Sequence, residues 1–230
     1  GAGRIHVEQL VRRGYSVQVY DTDAAKAQAL SSQYGCQAIP TRCMVDPSTY
    51  DVAVVAVVPS EHYPVALEQI RMGKQVVIEK PLCLLPEHAE ALAAEPGVYI
   101  AESQAYGNGF ADLRKRLDYV CGSPIIWRAC YMTPYRPQAW SYDLGAGGGA
   151  FCEGGIHMLT CARALFGQSA KWQASVRSFA GGTGPDSGTL LIDYEGGHHL
   201  CLQLGWGTAD CFAGGSLLPN SVGFFGPRAV

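Results

Sequence analysis

The 230-residue chain is 48% hydrophobic and 16% charged, with a formal net charge of −3, which supplies apolar material for one large core or two modest ones. That balance excludes the basic stripe needed to bind a phosphate backbone, so nucleic acid is not an expected partner. The longest apolar run, Val52 to Pro59, is far short of the roughly 20 residues that span a bilayer, and no charged n-region with an apolar h-region opens the chain; a cytoplasmic protein without a membrane partner is expected.

The chain opens Gly1-Ala2-Gly3-Arg4-Ile5-His6 and continues with Val7, Leu10, Val11 and Gly14 at helical spacing. A strand-like run, Val17 to Tyr20, follows and ends at Asp21, 18 residues after Gly3. This is half of a dinucleotide fingerprint: the two glycines allow a tight turn and close approach of backbone N–H groups, at a helix N-terminus, to a pyrophosphate. Gly1, Gly3, Arg4 and Ile5 are the expected cofactor contacts of that turn. The Asp21 carboxylate would accept bonds from ribose hydroxyls and repel a 2′-phosphate, which favours NAD over NADP. The third glycine position carries His6, and no strand precedes Gly1.

Val52 to Val58 is apolar almost throughout, as a strand buried on both faces should be. Tyr63, Ala66, Leu67 and Ile70 then recur at helical spacing, entered through Ser60 and Pro64 and closed by Gly73. Next comes Val76-Val77-Ile78, running into Glu79-Lys80-Pro81. Strands alternating with helices predict a doubly wound parallel sheet over residues 1–97. Ligands of such sheets bind at the carboxyl ends of strands, which places Lys80 for proton transfer and Glu79 beside it. The proline restricts Lys80 to extended backbone, and a cis bond there would fix its direction. Alone, the tripeptide equally suits a strand-end turn with a solvated lysine.

From Val98 the pattern changes. A strand (Val98 to Ala101) and a helix with Phe110, Leu113 and Leu117 on one face lead into alternating strands: Trp172, Ala174 and Val176, then Leu200, Leu202, Leu204 and Trp206. Gly196-Gly197 supplies a tight turn between them. Residues 98–230 therefore read as an α+β domain with an open, mostly antiparallel sheet, interrupted by a helix from about Gly155 to Phe166 that Gly167 ends. Before that helix stands Gly147-Gly148-Gly149-Ala150-Phe151-Cys152-Glu153-Gly154-Gly155-Ile156-His157. On an early-starting helix Glu153 and His157, four apart, share a face. His157 could take a hydroxyl proton while Glu153 orients the ring or binds a neighbouring hydroxyl. The nine cysteines stand singly, without a C-x-x-C pair, which argues against zinc and a disulfide frame.

Glu-Lys-Pro after a parallel strand, followed about 70 residues later by a glycine-rich run and acid-x-x-x-His, resembles the Gfo/Idh/MocA oxidoreductase family. Asp51 to Pro59 with His62, and Met72-Gly73-Lys74 before the strand leading to Lys80, match it too. The resemblance implies an N-terminal Rossmann domain, a C-terminal domain for substrate binding and subunit contact, and a nicotinamide dinucleotide in the cleft between. It implies that Lys80 and His157 act at a reacting carbinol of a sugar, inositol or related polyol. Pro59 and His62 would lie near the nicotinamide, and Tyr106 and Trp140 would wall the substrate pocket.

Glu153 and Thr160 depart from the family pattern, which has aspartate at the first position and often an acid at the second. The resemblance further implies that both ends are clipped, the first Rossmann strand being absent, and that subunits pair through the C-terminal sheet. Two other readings share these residues: a catalytically silent dinucleotide-binding regulator, and a glycosidase that uses NAD for transient oxidation.

Overall fold

The alternation read in the first hundred residues folds as helices and parallel strands in the computed structural model, which describes residues 1–133, 138–206 and 221–227. Two units form, residues 1–57 with 61–101 and residues 58–60 with 102–230. In chain order the first holds α1 (Ala2–Arg12), β1 (Gln18–Val19), α2 (Ala24–Tyr34), β2 (Gln37–Ala38), β3 (Val52–Val55), α3 (His62–Arg71), β4 (Gln75–Glu79), α4 (Pro86–Ala93) and β5 (Val98–Ala101). β1 pairs in parallel with β2, and β3, β4 and β5 form a separate parallel ribbon in that order. Local chemistry sets the helix ends: the Asp23 carboxylate accepts the Ala25 N–H at the start of α2, and Gly35 ends it at φ +72°.

The buried heart of this unit is Val55, Ala66, Val76, Ile78 and Leu92. β4 is the middle strand of its ribbon, and its Val76 and Ile78 are completely enclosed. β3 departs from the expectation of a strand buried on both faces. Only Val55 of its four residues is buried, and Val52 is 47% exposed, because β3 is an edge strand. Val98–Ala101 pairs with β4 and so belongs to the first sheet; the change of unit falls at 101/102 instead of 97/98.

The second unit contains α5 (Asn108–Val120), β6 (Ile126–Thr133), α6 (Ile156–Phe166), β7 (Ser169–Arg177), β8 (Ser187–Tyr194), β9 (His199–Trp206) and β10 (Ser221–Phe225). Its five strands are ordered β10-β6-β9-β8-β7, with every neighbour antiparallel except β6 and β9. Trp127 and Ala129 of β6, Leu200 and Leu202 of β9 and Ile192 of β8 point to the face that packs Leu117 of α5 and Cys161, Ala162 and Phe166 of α6. Leu200 and Leu202 are fully buried, each contributing about 2 kcal/mol by burial. The alternation expected of Trp172, Ala174 and Val176 holds in register, with Trp172 opposite Ile192 and Ala174 opposite Leu190. Yet all nine residues of β7 are exposed, because β7 is the outermost strand.

Four of the cysteines, at 36, 121, 130 and 161, are buried and free, as small apolar side chains; Cys211 lies outside the described residues. Among the described residues no acid, histidine or cysteine cluster could hold a metal, and no helix is long and apolar enough to cross a membrane.

Candidate active site

In the first unit the residues singled out by sequence gather around the start of α1 and the end of β4. Gly1 caps α1. A Cβ at Gly3, in the first turn of α1, would meet only the Ala56 Cβ at 3.7 Å. Arg4 is directed back along α1, its guanidinium on Glu8 at 3.0 Å and the Tyr34 hydroxyl at 3.1 Å; Ile5 is 54% exposed. Asp21 follows β1, and its Oδ1 accepts the Asp23 N–H at 2.9 Å. That bond turns the chain toward α2 and leaves Oδ2 without a partner among the described residues.

His6, standing where the third glycine of the fingerprint was expected, has a structural partner: its Nε2 lies 2.7 Å from Glu79 Oε1. The link ties the first turns of α1 to the end of β4. Burial pushes the Glu79 carboxyl up, but the hydrogen bond and charge of His6, helped by the Lys80 N–H and side chain, outweigh it and hold the group below the usual range. The Lys80 N–H donates to Glu79 Oε2 at 3.2 Å, and the Lys80–Pro81 bond is cis.

His62 is buried, with Nδ1 2.7 Å from the Pro81 carbonyl and Nε2 3.1 Å from that of Val57. Both nitrogens thus face backbone oxygens of this unit. His62 braces the turn that carries Lys80 instead of presenting a ring nitrogen to a ligand. Pro59 is also buried, in the short 3₁₀ turn before α3.

In the second unit the glycine run packs against its surroundings. A Cβ at Gly147 would lie 2.7 Å from the Trp140 carbonyl oxygen and 3.0 Å from the indole Cε3. Gly149 adopts φ +80°, and a Cβ there would run into the Pro185 carbonyl. These contacts, together with the Ala150 N–H bond to Pro185 O at 2.8 Å, fix the entry to Phe151–Gly155, one wide turn of π-helix that feeds α6. The helical path therefore begins before Glu153, as the four-residue spacing with His157 requires.

The ring of His157 is held by another acid. Its Nδ1 lies 2.8 and 2.7 Å from the two oxygens of Glu102. Glu102 is 5% exposed and also accepts the Gln104 N–H at 3.1 Å. The acid on His157 Nδ1 is Glu102, which the sequence reading did not single out. Burial, then the Glu102 charge, pushes the Cys161 thiol one turn along up to about 11.

Of the expected pocket walls, Trp140 is half-buried over the glycine run with its indole N–H on Gln138 at 2.6 Å. Tyr106 is 80% exposed and walls nothing enclosed. A hollow of about 680 Å³ in this unit is lined by Tyr142, Phe179, Asp186 and Trp206 among others. The Asp186 oxygens accept the Phe179 and Ala180 N–H groups at 3.1 and 2.6 Å.

Comparison with known proteins gives matches along most of the chain. Residues 1–96 match the model of the oxidoreductase family with an NAD-binding Rossmann fold, GFO_IDH_MocA, and residues 111–217 match the GFO/IDH/MocA C-terminal domain. A dTDP-3,4-didehydro-2,6-dideoxy-alpha-D-glucose 3-reductase of Streptomyces antibioticus is 28% identical over 161 residues, 66% of this chain and 48% of the relative. A UDP-N-acetylglucosamine 3-dehydrogenase of Acidithiobacillus ferrooxidans is 32% identical over 151 residues, 62% and 46% of the two chains. The crystal structure of the WlbA dehydrogenase from Bordetella pertussis, in complex with NADH and UDP-GlcNAcA, superposes with a TM-score of 0.83 at 18% identity, covering 99% of this chain and 74% of that one. The chain spans about half the length of the curated relatives it matches.

Proposed function

Because the chain belongs to the Gfo/Idh/MocA family of oxidoreductases, we propose that it serves hydride transfer between a nicotinamide dinucleotide and a ring carbinol of a sugar or cyclic polyol, with nucleotide-linked hexoses the first substrates to test. The observation that carries this reading is His157, its Nδ1 committed to a buried carboxylate and its ring still 21% exposed. Nucleotide sugars come first because two similar proteins are named for a dTDP-sugar and a UDP-sugar, and a third was crystallised with one.

The residues fit the dinucleotide. The absence of a side chain at Gly3 suits close approach of a pyrophosphate to the first turn of α1, and the Asp21 oxygen that has no partner among the described residues suits a ribose hydroxyl, which favours NAD over NADP. When bound, the nicotinamide supplies the hydride acceptor. His157 takes the hydroxyl proton, and Lys80, braced through Pro81 by His62, is the proton-transfer candidate of the first unit. Pairing of subunits through the C-terminal sheet is part of the same proposal.

The test follows nicotinamide absorbance with NAD or NADP across a panel of nucleotide sugars, free sugars and inositols. Lys80→Ala and His157→Gln should each lower kcat by about 10²–10⁴. Unchanged turnover in both variants would overturn the assignment, and release of free sugar without net NADH would put the protein among NAD-dependent glycosidases.

A further inference from the structure

We propose that Glu102 is the positioning residue of this site: it fixes His157 in the tautomer with the proton on Nδ1, so that Nε2 carries the lone pair that receives the substrate's proton. The inference rests on the reading of His157 as the proton-handling residue and adds a role for an acid 55 residues away in sequence.

Three observations support it. Both Glu102 oxygens lie within 2.8 Å of Nδ1, and a carboxylate only accepts, so Nδ1 must donate. The acid is 5% exposed, where water competes little for the bond, and the Gln104 N–H holds Oε1 from the other side. Nε2 has no hydrogen-bond partner among the described residues, while the ring keeps 21% of its side-chain surface open. In the oxidative direction the substrate O–H bond breaks as Nε2–H forms; a bound nicotinamide would supply the acceptor for the carbinol hydride as the C=O bond forms. The positive charge then on the imidazole faces the Glu102 carboxylate, which keeps its own charge throughout.

The Gln104 N–H makes the test sharp. In Glu102→Gln it requires an acceptor at the Oε1 position, so the amide oxygen settles there and the amide NH₂ faces Nδ1. At the Oε2 position, 2.7 Å from Nδ1, that NH₂ would meet an Nδ1–H donor to donor, which favours the proton on Nε2 with size and shape conserved. The measurement is a long-range proton–nitrogen correlation spectrum of the chain with isotope-labelled histidines, taken where imidazole is neutral, with the His157 signals identified by their loss in His157→Gln.

The expected result is an unprotonated Nε2 in the wild type, an unprotonated Nδ1 in Glu102→Gln, and the wild-type pattern restored in Glu102→Asp. A protonated Nε2 in the wild type, or a pattern unmoved by Glu102→Gln, overturns the proposal, and the wild-type spectrum decides alone should a variant fail to fold. Because the spectrum needs neither cofactor nor substrate, it stands apart from the catalytic reading, which fails separately if His157→Gln turns over normally. With an active substrate, Glu102→Gln should lower kcat by about 10³–10⁴ with KM changed little, the signature of a wrong tautomer in an intact site.

Discussion

At the scale of single residues, Asp21 shows how one hydrogen bond can prepare another. Its Oδ1 is engaged by the Asp23 N–H, which fixes the carboxylate at the end of β1 with the other oxygen available. A ribose diol can donate to that oxygen, whereas a 2′-phosphate would place negative charge against it. Asp21→Ala should therefore raise the ratio of NADP to NAD kcat/KM by about tenfold, roughly 1.4 kcal/mol of discrimination. A ratio unchanged in steady-state assays with both cofactors would show that Asp21 does not read the ribose.

Residues of this kind differ in how they announce themselves in a sequence. Lys80 and His157 sit in short motifs at the end of a strand and the start of a helix, so they were legible locally. Glu102 reaches His157 across 55 positions, and no local spacing encodes such a contact. The available signal was its place: like Glu79 at the end of β4, it is an acid at the carboxyl end of a parallel strand, directly after β5. His6 stands at the third glycine position, and its partner Glu79, 73 positions on, is equally distant.

At the scale of elements, the loop from Trp140 to Gly155 is shaped by atoms that approach too closely for side chains. Gly149 combines φ +80° with a Cβ position occupied by the Pro185 carbonyl, so alanine there meets both backbone strain and collision. Gly149→Ala should destabilise the second unit by about 2–4 kcal/mol, measured as a lower urea midpoint with unchanged slope. A change below about 0.5 kcal/mol would mean the loop shifts freely.

Periodicity revealed α1, α3, α5 and α6 because their larger apolar residues recur at helical spacing. It missed α2 and α4, whose sequences are rich in alanine and polar residues and carry few large apolar side chains. Their visible marks were terminal chemistry, Asp23 before α2 and Pro86 opening α4. The exposure of β3 and β7 escaped for a different reason. Alternation or apolarity tells which side chains share a face, while position at a sheet's edge is set by strands far away in sequence.

At the scale of the whole molecule, the side of the five-stranded sheet turned away from α5 and α6 bears on the proposed pairing of subunits. Cross-strand register puts Phe225 beside Ile126, and Arg128 beside Cys201, which in turn neighbours Leu191. Ile126 and Phe225 are 51% and 52% exposed, and Asp193 and His199, paired at 2.6 Å, flank the same rows. Such a surface, with exposed apolar side chains beside polar ones, has the mixed composition of a contact between separately folded copies. Self-association through it predicts a species larger than one chain in sedimentation velocity. Ile126→Asp combined with Phe225→Asp would set like charges side by side on this face and should weaken association at least about tenfold. The two sites are exposed, so the unfolding midpoint of the dissociated chain should move little. A wild-type chain that sediments as a single copy, or a double variant that associates as before, would remove this face from the proposal while leaving the chemistry assigned to His157 and Lys80 standing.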